Sequence, residues 1–159
     1  MNVQSLQTKV QASSESELDV QKTISSPQAF INIIVAISFS DEDISALALA
    51  LINQKLACKE FLLEYDLADG LRKAVDLSKE LGPERAISVS ATKVSKDITL
   101  CCFANAVHLA FLITGIDTLK NKLINCLMEA WTIDYESYRM ILETIKLMDG
   151  KDFKIAIKF

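Results

Sequence analysis

The sequence predicts an all-α fold, a compact multi-helix bundle, and three observations carry that expectation. Only 4 Gly and 2 Pro interrupt 159 residues, whereas chains built from many short strands need more of both for their turns. Positions such as Leu67, Leu71, Ala74, Val75, Ser78 and Leu81 recur three and four apart, the spacing of one helix face. Start and stop residues punctuate these stripes: Asp117 and Asp134 stand before two of them, and Gly82-Pro83 and Gly150 follow two others.

Residues 1–26 are rich in Gln, Ser and charge. They form a polar lead in which residues 10–24 could make a peripheral helix. The main domain spans 27–150 and a short tail spans 151–159. Residues 29–39, AFINIIVAISF, are ambiguous: the β-branched content suits a buried strand and the length suits a buried helix. The polar corner Asp41-Glu42-Asp43 favours the helix, with Asp43 capping a second helix from Ile44 through the Ala- and Leu-rich stretch to Ala57. Helices over 65–81 and 84–94 meet at Gly82-Pro83, where Pro83 suits a first helical turn. A long apolar helix runs to Ile113. Asp117 caps residues 118–131, and Asp134 caps 135–148. The tail alternates as FKIAIKF, a pattern for a short extended segment.

Half of the residues are apolar and the net charge is −4. That is enough apolar material for a core without disulfide or zinc staples, and the acidic balance argues against nucleic acid as a partner. The apolar stretch 98–113 is interrupted by Asn105 and His108 and falls short of the roughly 20 residues of a membrane span. No signal peptide is visible, and the expectation is a cytoplasmic protein. Cys58, Cys101, Cys102 and Cys126 include no C-x-x-C pair, and His108 is the only histidine. Cys101 and Cys102 are neighbours inside an apolar run, where reduced core thiols are the reading, and that fits a reducing compartment.

An internal echo appears at an offset of 73 residues. Phe30-Ile31-Asn32 matches Phe103-Ala104-Asn105, and Tyr65 falls opposite Tyr138. It predicts two helical halves around an approximate two-fold axis, with the apolar helices central. Asn32 and Asn105 would then bond helix ends or each other.

This layout resembles the TerB-like domains of bacterial tellurite-resistance and stress-response systems, helical bundles of two related halves. Each half carries an acidic corner of the form A-D-G-x-[ILV]-[DST]-x-x-E. In the first corner Asp41, Ile44 and Ser45 match; Glu42 replaces the glycine and Ala48 the closing glutamate. In the second, Gly115 matches; Thr114 replaces the aspartate, and Lys120 or Asn121 stands at the glutamate position. The resemblance implies a divalent-cation site, for an ion such as calcium, with Asp41, Asp43 and Asp117 as candidate ligands. With so few carboxylates left, binding would be weak at most.

No catalytic set emerges. His108 follows Asn105 by three residues on one helix face, where a hydrogen-bonded core histidine is the expectation. No cofactor is implied. The reading is a non-enzymatic TerB-like module acting through a protein partner or as a homodimer. Its rivals are a purely structural self-associating domain and a small enzyme whose strands would be 29–39, 86–94 and the tail.

Overall fold

The computed structural model describes residues 23–39, 43–113 and 115–149. Among them are seven α-helices, one 3-10 turn and no strand. The polar lead to residue 22, Asp41, Thr114 and the tail with its expected extended segment lie outside the described residues.

Helix α1, Ser26–Ser38, settles the ambiguous apolar segment as helix. Ser25 caps it, the hydroxyl accepting from the Gln28 amide at 3.3 Å, and Pro27 sits in its first turn. Every residue from Gln28 to Phe39 is buried. The Ile and Val content lowers helix propensity by only tenths of a kcal/mol per residue, ~0.5 at most, and enclosure by neighbouring helices outweighs it. Three polar side chains in α1 are satisfied inside the core. Gln28 Nε2 donates to Asn32 Oδ1 at 2.7 Å and to the Gly70 carbonyl at 3.0 Å. Gln28 Oε1 accepts from Tyr65 Oη at 2.5 Å. Asn32 Nδ2 donates to Ser90 Oγ at 3.1 Å, and Ser38 Oγ to the Ile34 carbonyl at 2.8 Å.

Helix α2, Ala46–Leu56, begins two residues later than the sequence suggested. Ser45 holds the cap position in an extended conformation and accepts from the Ala48 amide at 3.1 Å. Asp43 instead accepts from its neighbour Ile44 at 2.8 Å, which leaves Ile44 free to bury its side chain. The 3-10 turn Glu60–Leu62 brings Phe61 edge-on to Phe30, with ring centroids 4.9 Å apart. Helix α3, Leu67–Leu81, is capped by Asp66 and ends at Gly82, whose φ of +80° explains the glycine. Helix α4, Pro83–Ala91, follows at once.

Helix α5, Thr99–Ile113, is the second largely buried helix. Helix α6, Thr118–Trp131, starts at its expected cap, Asp117, which accepts from the Lys120 amide at 2.8 Å. Helix α7, Tyr135–Asp149, starts where Asp134 accepts from Ser137 at 2.8 Å. Helix α1 packs on α3, α4 and α5; α4 packs on α6; α5 also touches α6 and α7. Trp131 donates its indole N–H to the Ala91 carbonyl at 2.9 Å, tying the end of α6 to the end of α4. Asn105 donates to the Cys101 carbonyl at 2.7 Å and Asn32 to Ser90, so the two asparagines serve separate local partners rather than each other.

Candidate binding groove and its lysine–histidine–aspartate edge

Helices α5 and α7 leave a groove of about 360 Å³ between them. Ala104, Met140, Ile141, Ile145 and Met148 supply its apolar walls, and Asn105, His108 and Thr144 its polar groups. Asn105 and His108 share this face because three residues separate them on α5.

His108 is half-buried and doubly engaged. Lys55 Nζ, from the last turn of α2, lies 2.7 Å from Nδ1, and Asp149 Oδ2, from the last residue of α7, lies 3.0 Å from Nε2. An ammonium has donors only, so Nδ1 must accept, and Nε2–H then donates to the Asp149 carboxylate. One tautomer of a neutral imidazole thus satisfies both contacts. Burial pushes the His108 pKa down, the Lys55 charge adds to that, and Asp149 opposes it. Burial also lowers the Lys55 pKa, reinforced by Lys59. A general base needs a ring nitrogen open to substrate; here each nitrogen already has a protein partner. The network reads as a clasp joining α2, α5 and α7. Its members lie 53 and 41 residues apart in sequence, which is why spacing alone could not assemble it.

The acidic corner is organised locally. Asp43 is exposed and pairs with Lys79 at 3.1 Å. The Ile44 amide, then Lys79, hold its carboxyl below the usual range. Asp117 is occupied as the α6 cap. Among the described residues no three His, Cys, Asp or Glu side chains gather as a metal site; Asp41 lies outside them. What sequence reasoning missed is the burial of Lys120, three residues beyond Asp117. Lys120 is 1% exposed, and its ammonium donates to the Phe39 carbonyl at the end of α1. Burial lowers its pKa, with Asp117 opposing. The hydrophilic stripe of α6 gave no hint that this lysine points inward; only the packing of α6 against the end of α1 reveals it.

All four cysteines are free. Burial raises the Cys102 thiol well above its ordinary pKa, and burial with Glu84 raises Cys126. Neither is tuned as a nucleophile. Among the described residues no helix is long and apolar enough to cross a membrane. No family model, no curated protein and no solved structure matches this chain.

Proposed function

We propose that this chain is a non-enzymatic helical module that works through protein contacts, with the α5–α7 face as its docking surface. The observation that carries the reading is a row of large apolar side chains left in water along α7: Met140 is 62% exposed, Leu147 84% and Met148 71%. Met140 and Met148 line the groove, and Leu147 lies beside them on the same side of α7. Contiguous exposed apolar surface of this kind is the usual mark of an interaction site. The closed clasp at His108 supports the non-enzymatic part of the reading.

The TerB-like setting, bacterial tellurite resistance or metal and stress response in the cytoplasm, belongs to the same proposal. It rests on the match at Asp41, Ile44 and Ser45 and on helix order. The two-half organisation is supported by α1 packing against α5 and by reciprocal contacts, α2 with α5 and α6 with α1. Free thiols suit a reducing compartment. Any calcium-like ion would bind weakly, because a hard cation needs several oxygen ligands and Lys120 places a buried ammonium beside Asp117 in the second corner.

The test compares the wild-type chain with Leu147→Glu by sedimentation and by affinity purification from the native cell. Loss of a specific partner or of self-association, with an unchanged thermal melt, is the expected result. Identical association in both proteins would reject this face as the docking surface. A turnover abolished by His108→Gln in a protein that still melts normally would replace the binding module with an enzyme.

A further inference from the structure

One polar atom in the groove between α5 and α7 has been drawn out of bulk water with no protein partner to replace it. Asn105 is 8% exposed and lines the groove. Its Nδ2 donates to the Cys101 carbonyl at 2.7 Å and lies 3.5 Å from Cys101 Sγ. A carbonyl only accepts, so the amide nitrogen must face Cys101, and Oδ1 is the atom left over. Among the described residues no donor reaches that oxygen, although a buried acceptor is normally satisfied. It is not sealed in the interior as Ser78 Oγ is, so it opens on the groove.

The other lining groups narrow the chemistry of an occupant. Thr144 Oγ1 donates to the Met140 carbonyl at 2.9 Å, so it too offers only lone pairs. Both His108 ring nitrogens are held, one by Lys55 and one by Asp149. The remaining lining side chains are apolar, and with His108 neutral none of the lining groups is charged. An anion finds no donor there and a cation finds no carboxylate, so neither recovers its lost hydration. A neutral apolar body with one N–H or O–H donor matches the whole lining. A cavity of about 150 Å³ holds one benzene ring, and the groove of about 360 Å³ has room for two fused rings. Met140 and Met148 stand on its α7 wall, and thioethers adapt to a flat ring and attract it through sulfur–aromatic contacts.

We propose that the α5–α7 groove binds a small neutral two-ring aromatic molecule that carries one N–H or O–H donor, with its rings against Met140, Ile145 and Met148 and its donor on Asn105 Oδ1. This goes beyond the reading of the same face as a protein-docking surface. Leu147, whose charged variant tests docking, is not among the lining residues of the groove, so the two readings fail separately.

The experiment titrates the full chain, isotope-labelled at its methionine methyl groups, with indole as the probe. Nuclear Overhauser contacts from the indole ring to the Met140 and Met148 methyls are expected, and none to Met128 on α6. Ala104→Met adds bulk to the groove wall at a half-buried position and should abolish those contacts. The donor is tested against indene, which has the same shape without the N–H. Asn105→Leu should lower the preference for indole over indene about tenfold, the worth of one hydrogen bond to a buried acceptor. Tryptamine, a cation, and indoleacetate, an anion, should each bind more weakly than indole. If Asn105→Leu fails to fold, the contacts in the wild type, their loss in Ala104→Met and the charged probes decide. Absence of contacts at saturating indole, contacts unaffected by Ala104→Met, an indole-to-indene preference unchanged by Asn105→Leu, or tighter binding of either charged probe would overturn the ligand site. Binding of N-acetyltryptophanamide but not of indole would overturn it as well, by giving the groove to a tryptophan side chain of a protein partner.

Discussion

A methyl group added at Gly70 tests how tightly α1 and α3 are locked together. A Cβ there would sit 2.7 Å from Tyr65 Cε1 and 2.9 Å from Ile31 Cδ1, both inside contact distance. Neither neighbour yields easily. Ile31 is fully enclosed, and the Tyr65 ring is held by its bond to Gln28, which also donates to the Gly70 carbonyl. Alanine in place of a helical glycine gains about 1 kcal/mol of propensity. Overpacking of this kind costs about 1–3 kcal/mol, and loosening the Tyr65–Gln28 bond adds about 1. Gly70→Ala should therefore destabilise by about 1–3 kcal/mol, read as a lower urea midpoint at unchanged slope in circular dichroism. Tyr65→Ala removes one of the two obstacles, so on that background Gly70→Ala should cost about 1 kcal/mol less. A Gly70→Ala protein with a raised midpoint, or an equal cost on both backgrounds, would refute the steric argument.

His108 has a folded pKa below its ordinary 6.5, so near and just below that pH the unfolded chain binds more protons than the folded one. Stability should be full above pH 6.5 and fall on acidification through the window beneath it; His108→Gln, removing the only histidine, should flatten that slope in melts taken across the window. Ser45→Ala should cost about 1 kcal/mol as the loss of the α2 cap, while Asp43→Ala, at an exposed ion pair, should leave the urea midpoint almost unchanged; the reverse order would return the cap to Asp43. Calorimetric titration with calcium should show little difference between the wild type and Asp41→Ala, and tight binding through the carboxylates of that corner would contradict the reading of a site short of oxygen ligands.

Local chemistry was readable wherever a residue acts on its near neighbours. Asp117, Asp134 and Gly82-Pro83 mark helix boundaries because a cap bonds two or three residues away. Asp43 misled because Ser45, two positions on, has the same capping ability, and the choice between them turned on burying Ile44. The stripe of α3 was legible, yet Gly70 at its centre was not, since its value lies in the close approach of Tyr65 and Ile31. The clasp was least legible of all. His108 announced itself as a core histidine, but Lys55 and Asp149 carry no signal of partnership until α2 and α7 are folded beside α5. The inward turn of Lys120 depends in the same way on a carbonyl contributed by another helix.

The complete enclosure of α1 has a consequence for synthesis. About 60 residues separate Ser38 from Thr99, the first residue of the helix that covers one of its faces. At ribosomal speeds of about 5–20 residues per second, that face waits roughly 3–12 s before its cover is made. During this interval the nascent chain displays an Ile-rich surface with no hydrophilic side to shelter it, a natural target for a chaperone that binds apolar segments. Yield in the cell should then depend on holding α1 until α5 arrives, even for variants whose finished fold is as stable as the original.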